Sequence, residues 1–227
     1  QPDAAKQAEF AGLAAEPSPQ GFATMPYAAL AMHRRGDWLV GIKGYSKHAA
    51  SGESYANANR HGLYLSHGQM EILSHPSPLP TVIGSGTRPN EGYNWSAIEG
   101  ATTIHTPLDR IANGNGSRTP FSPETFVGGV GNSRNGLFAM VLNDDSTGHI
   151  MRDRPKDSPA PEPLRGRKSW FCFDNRILCL GSDIATRNVP YPVRTNLFQR
   201  FLGGGFTTVR ANGESLVFAG TALSRDF

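Results

Sequence analysis

Apolar residues in this chain recur mostly at every second position, in runs too short for helices. Trp38, Val40 and Ile42 alternate with Leu39, Gly41 and Lys43. This run, 38–44, follows 28–33 across Arg34-Arg35-Gly36-Asp37, and the pair predicts a β-hairpin. Residues 63–73 read as a longer strand whose apolar parity changes at Gly68, from Leu63 and Leu65 to Met70 and Ile72, as a β-bulge produces. Further strands are predicted at 102–105, 125–130 and 136–142. Two more hairpins follow: 169–173 with 176–180 around Asp174-Asn175, and 206–211 with 214–218 around Asn212-Gly213. Residues 144–167, with four prolines and many charges, read as a loop. One helix is predicted, over the Ala-rich residues 3–16, weakened by Gly12 and closed by Pro17.

About ten short strands and a single helix make the expected fold class all-β, an antiparallel β-sandwich. Residues 1–21 are expected to be a linker or docking segment, and 22–227 one sandwich domain, incomplete at its C-terminal end. The absence of an initiator Met, and an end at Leu223-Ser224-Arg225-Asp226-Phe227 without a finishing element, lead to the expectation of a piece of a longer polypeptide.

Composition narrows the classes. The 227 residues are long enough to bury a large core, and 38% hydrophobic with 18% charged residues excludes wholesale disorder. The longest apolar runs, such as Leu137–Leu142, fall far short of the roughly 20 residues of a membrane helix, so no membrane span is expected. A net charge of +3 is compatible with an acidic polymer without naming one. Arg34-Arg35 and Arg165-Gly166-Arg167-Lys168 lack any nucleic-acid-binding module around them, so no nucleic acid is expected as a partner. Two cysteines give neither a disulfide framework nor a zinc signature. A two-residue turn at Asp174-Asn175 sets Trp170, not Cys172, opposite Cys179, and leaves the thiols about 7 Å apart as diagonal neighbours.

Common enzyme templates are missing: no Walker sequence, dinucleotide fingerprint, H-E-x-x-H or G-x-S-x-G is present. No cofactor is called for, and a divalent-metal requirement stays open. The densest polar stretch runs from Tyr45 to His67 and includes Lys47, His48, Glu53, Tyr55, Asn57, Asn59, Arg60, His61 and Tyr64. It reads either as a ligand-facing loop or as a solvated connection between strands. Of the three tryptophans, Trp38 and Trp170 sit in strand patterns and read as core. Trp95, in the polar segment Gly92-Tyr93-Asn94-Trp95-Ser96, is the candidate for stacking on a sugar face.

Several segments in order resemble the β-sandwich part of the chondroitin sulfate ABC lyases of polysaccharide lyase family 8. They are Met25-Pro26-Tyr27-Ala28-Ala29-Leu30, His33-Arg34-Arg35 with Asp37-Trp38, Gly44-Tyr45-Ser46-Lys47, Glu53-Ser54-Tyr55, Asn59-Arg60-His61-Gly62 and Tyr64-Leu65-Ser66-His67-Gly68. The series continues through Gly92-Tyr93-Asn94-Trp95, Gly100-Ala101-Thr102-Thr103-Ile104-His105, Pro107-Leu108, Ser169-Trp170-Phe171, Asp174-Asn175-Arg176-Ile177, Leu180-Gly181-Ser182 and Thr195-Asn196-Leu197-Phe198-Gln199. The matches span about residues 22 to 213. Residues 143–167 and the tail beyond Gly213 follow no family pattern.

The resemblance implies a bacterial, exported enzyme that cleaves chondroitin or dermatan sulfate, and potentially hyaluronan, by β-elimination. Its fold would be the first part of a supersandwich, galactose-mutarotase-like, and its partners an anionic polysaccharide and an α/α-toroid catalytic domain. The toroid would carry the family's catalytic Tyr, His and Arg, so that this chain alone is expected to be inactive. The family's sandwich-borne glutamate falls on Glu53, where a carboxylate would orient the toroid's arginine; the bland alternative is an exposed loop acid. Asn59 and Arg60 also match and either contact the polymer or stabilise the turn. A different class stays open beside this one: a non-catalytic carbohydrate-binding or interface module on the same fold.

Overall fold

The structure, a computed structural model, describes residues 11–13, 17–56, 59–74, 93–114, 116–199 and 208–217. The helix expected at 3–16 lies almost entirely outside them. Two four-stranded antiparallel sheets form the body. The first has the order β1 (Gly21–Met25), β2 (Leu30–Arg35), β3 (Trp38–Lys43), β5 (Gln69–Ser74). The second has the order β11 (Arg176–Ala185), β10 (Leu164–Phe173), β9 (Gly136–Asp144), β8 (Val127–Gly131). Three short antiparallel pairs complete the architecture: β4 (Ser54–Tyr55) with β7 (Ser117–Arg118), β6 (Thr102–Ile104) with β12 (Val193–Thr195), and β13 (Thr208–Ala211) with β14 (Glu214–Val217). Two one-turn helices, α1 (Leu108–Ile111) and α2 (Thr147–Ile150), are the named α-helices among the described residues, and none there is long and apolar enough to cross a membrane.

Alternation builds the core as the sequence pattern requires. Val40 and Ile42 of β3 and Met70 of β5 turn inward, and Phe138, Met140 and Leu142 of β9 with Trp170 and Cys172 of β10 do so from the second sheet. Phe22 of the edge strand β1 lies on Gly136 at the start of β9, where any Cβ would strike its ring. A clasp joins the sheets at one end. The carbonyl of Asp174, in the β10–β11 turn, accepts from His33 Nε2 at 2.8 Å and Arg35 Nε at 3.0 Å, and Trp38 Nε1 donates to Asn175 Oδ1. Segments that resemble the family at opposite ends of the sequence are thus one structural unit.

The 38–43 hairpin forms with a two-residue turn at Gly36-Asp37. The Asp174-Asn175 turn sets Trp170 opposite Cys179, and both cysteines are free thiols. Asn212 and Gly213 both adopt positive φ, +51° and +83°, as a tight hairpin turn demands; residues 206, 207 and 218 of that hairpin lie outside the described residues.

Two expectations are corrected, and one strand was not foreseen. Residues 63–73 are not one bulged strand: Gly62–Tyr64 is a 3-10 turn and only Gln69–Ser74 is strand. Gly68, at φ +82°, is the corner, where an added Cβ would lie 2.6 Å from the Trp170 ring. The loop expected at 144–167 is shorter, because α2 occupies Thr147–Ile150 and β10 starts at Leu164. Finally, β1 at Gly21–Met25 carried no alternation strong enough to be predicted.

Candidate functional site

The polar stretch that leaves β3 folds as a loop layer over one end of the sandwich, held chiefly by side chains bonded to backbone. Lys43 Nζ donates to three carbonyls, those of Ala28 at 2.8 Å, Gly44 at 2.7 Å and Ala50 at 3.3 Å. Burial lowers its pKa to about 8. The Ser46 hydroxyl accepts from the amides of His48 and Ala49, an ST-turn that tightens the loop.

Glu53 follows, exposed, while its neighbour Ser54 is buried and Tyr55 is exposed again. That alternation is the extended backbone of β4, fixed by pairing of Ser54 with Arg118 and by Asn113 Nδ2, which donates to the Ser54 carbonyl at 2.9 Å. Two bonds then converge on Glu53. The Tyr55 hydroxyl donates to its Oε2 at 2.6 Å, and Asn59 Nδ2 donates to its carbonyl at 2.9 Å. The Tyr55 phenol is pushed above its ordinary pKa by that hydrogen bond and by the charge of Glu53.

Arg60 is exposed, and its backbone carbonyl accepts from the Asn113 amide at 2.7 Å. His61 next to it lies 6.2 Å, ring to ring, from Trp95, and Tyr93 meets Trp95 edge-on at 5.0 Å. Burial, then the charge of Arg60, lowers the His61 pKa. Trp95 is half-buried against the core. Its loop is clamped by Gln199, whose side chain accepts from the Asn94 amide at 2.8 Å and donates to the carbonyls of Asn94 and Ala97. The four sequence-predicted residues, Glu53, Asn59, Arg60 and Trp95, are thus linked along one stretch of surface, Trp95 through its ring contact with His61.

Beneath this surface is a buried polar cluster. Lys168 Nζ donates to the carbonyls of His67 at 3.0 Å and Gly100 at 2.6 Å and sits 5.3 Å over the Trp170 ring. It ties β10 to the ends of both site loops, and burial lowers its pKa to about 7. His67 stacks on Tyr45 at 5.4 Å, and its Nδ1 donates to the Thr102 carbonyl; burial lowers its pKa despite Asp144 at 3.7 Å. No group of three His, Cys, Asp or Glu among the described residues is placed to hold a metal.

A groove of about 390 Å³ lies elsewhere, between the ends of β9, β10 and β11. Two ion pairs, Arg167 with Asp183 and Arg187 with Glu162, lie in its walls, and none of the predicted site residues lines it. Sequence reasoning overlooked Asn113, and it named Gln199 only within a resembling segment, without its clamping role. Both act on backbone from elsewhere in the chain, and an Asn in Ile111-Ala112-Asn113-Gly114 reads as an ordinary turn residue.

The model of the polysaccharide lyase family 8 super-sandwich domain matches residues 20–221, and so takes in residues 143–167 and 214–221, which were expected to follow no family pattern. The chain belongs to polysaccharide lyase family 8. It is 34% identical over 197 residues to the chondroitin sulfate ABC exolyase of Bacteroides thetaiotaomicron, covering 83% of this chain and 18% of that one. Identity to the chondroitin sulfate ABC exolyase of Proteus vulgaris is 31% over 229 residues, covering 95% and 21%. The chain thus spans about a fifth of the length of these relatives. Among solved structures, a Streptomyces coelicolor A3 chondroitin AC lyase bound to chondroitin sulphate superposes with a TM-score of 0.65 at 24% identity, over 94% of this chain and 26% of that one. A Paenibacillus xanthan lyase gives the same TM-score at 19% identity, over 87% and 16%. The super-sandwich alone therefore does not fix the polysaccharide.

Proposed function

We propose that this member of the family is the sandwich portion of a secreted bacterial glycosaminoglycan lyase, acting on chondroitin or dermatan sulfate by β-elimination, with hyaluronan as a further substrate to test. The observation that carries the reading is Glu53: an exposed carboxylate on a segment fixed from three sides, by Tyr55, Asn59 and Asn113, near the exposed Arg60 and the Tyr93–Trp95 ledge.

Elimination at a uronate needs its carboxylate neutralised, its C5 proton taken by a base and its O4 leaving group protonated. Tyr55 is unsuited to the base role, since its phenol is bonded to Glu53 and its pKa is raised. Base and acid come instead from an α/α-toroid partner domain, and Glu53 pairs with that domain's arginine and holds it against the substrate. Arg60 contacts the anionic groups of the polymer, and Trp95 with Tyr93 offers a flat apolar face to a sugar ring. The amide of Asn59 is already engaged with the Glu53 carbonyl, which favours bracing of the loop as its contribution.

The test is Glu53→Ala in the complete enzyme, followed by the absorbance of the unsaturated uronate formed from chondroitin sulfate. A fall in kcat of about 100-fold is expected, the scale of a misplaced catalytic group. Unchanged turnover would favour the non-catalytic binding or interface module.

A further inference from the structure

We propose that Tyr55 is a positioning residue for the Glu53 carboxylate, holding Oε2 and leaving Oε1 for a cationic partner. The inference rests on the reading of Glu53 given above. It is drawn from the local chain geometry. Glu53 and Tyr55 flank the buried Ser54 in extended backbone, which puts their side chains on the same, solvent-facing side. The pairing of β4 with β7 and the bond from Asn113 to the Ser54 carbonyl hold that backbone still, so the 2.6 Å contact from the Tyr55 hydroxyl does not depend on a mobile loop. Oε1 of Glu53 accepts no hydrogen bond from the described residues.

The chemistry suits an orienting role. A carboxylate is free to rotate about its last bond, and a charge-assisted hydrogen bond from an arginine to Oε1 needs that oxygen held in one direction. A phenol with only two side-chain torsions fixes that rotation at small entropic cost. Because Glu53 raises the Tyr55 pKa, the hydroxyl stays a donor through neutral and mildly alkaline pH.

Tyr55→Phe, Glu53→Ala and the double variant, each in the complete enzyme, test this on chondroitin sulfate. Tyr55→Phe is expected to lower kcat about 10-fold with KM changed less than about two-fold, the scale of one hydrogen bond to a charged group. On the Glu53→Ala background it is expected to do nothing further. In the present chain, NMR of carbon-labelled tyrosine follows the phenols directly, and in Glu53→Ala the Tyr55 phenol is expected to ionise at lower pH. Wild-type kcat for Tyr55→Phe beside a damaged Glu53→Ala overturns the role of Tyr55 and leaves that of Glu53 standing. A full Tyr55→Phe loss on the Glu53→Ala background marks a merely structural residue and overturns it as well, as does an unmoved Tyr55 titration. An active Glu53→Ala enzyme overturns both readings.

Discussion

β9 and β10 are joined through nine paired positions, whereas β4 and β7, which carry the Glu53 segment, share two. In the sandwich each residue is placed by its neighbours across a ladder and by the dry core behind it. In the loop layer, placement comes from single side chains bonded to distant backbone: Lys43 on Ala50, Asn59 on Glu53, Asn113 on Ser54, Gln199 on Asn94 and Ala97. Regular pairing makes one region stable and leaves the other free to present functional groups, with Lys168 bonded to both. Substitutions should therefore separate into those that unfold and those that disarm.

The largest stability effect is expected in the sandwich. Trp170 is fully buried against Phe138 and under Lys168, and Gly68 packs on its ring. Trp170→Ala should cost about 3–5 kcal/mol, a large share of the stability of a typical domain, measured by urea denaturation. A value near zero would dissolve the distinction between the regions.

Lys168, at the junction, gives an intermediate and pH-dependent effect. Its folded pKa of about 7 lies below the 10.5 of a free lysine, so the unfolded chain holds the extra proton between those values. The penalty of burying the charge is fully present below pH ~7 and is relieved as pH rises, so wild-type stability gains from this residue in that window. Above pH ~9 the Cys172 thiol, pushed up to about 12 by burial, acts in the opposite direction. Between pH 7 and 9, denaturation free energies of Lys168→Met should rise less with pH than those of wild type. Lys43, with its pKa near 8, contributes a parallel slope that the variant retains.

A smaller stability effect is expected on the ledge. Trp95 is half-buried and its loop is held by Gln199, so Trp95→Ala should cost about 1 kcal/mol or less while raising KM for chondroitin sulfate about 10-fold. An unchanged KM would remove the ledge from the binding surface.

The same contrast explains what the sequence discloses. The alternation of Phe138, Met140 and Leu142 is plain because the inward residues of β9 are apolar. The start of β10 is hidden because its inward row is Leu164, Gly166, Lys168, Trp170 and Cys172, in which a glycine and a lysine break the apolar signal. A buried lysine bonded to carbonyls is a tertiary fact that periodicity does not carry. Gly68 misleads for a related reason: the parity change is real, but the cause is a corner packed on Trp170, not an extra residue in a ladder. In the site, Glu53, Asn59 and Arg60 stand out through ordered resemblance, and Trp95 through its polar segment as well. The supporting roles of Asn113 and Gln199 stay hidden because a side chain that bonds backbone about 60 or 100 residues away leaves no local pattern.

The central claim is that Glu53 belongs to the disarming class. Its most direct test is kcat on chondroitin sulfate and Tm measured on the same preparation of the complete enzyme carrying Glu53→Ala. The account predicts turnover lowered about 100-fold with Tm within about 1 °C of wild type, as for a surface substitution. Wild-type turnover, or a loss that merely follows a falling Tm, would contradict it.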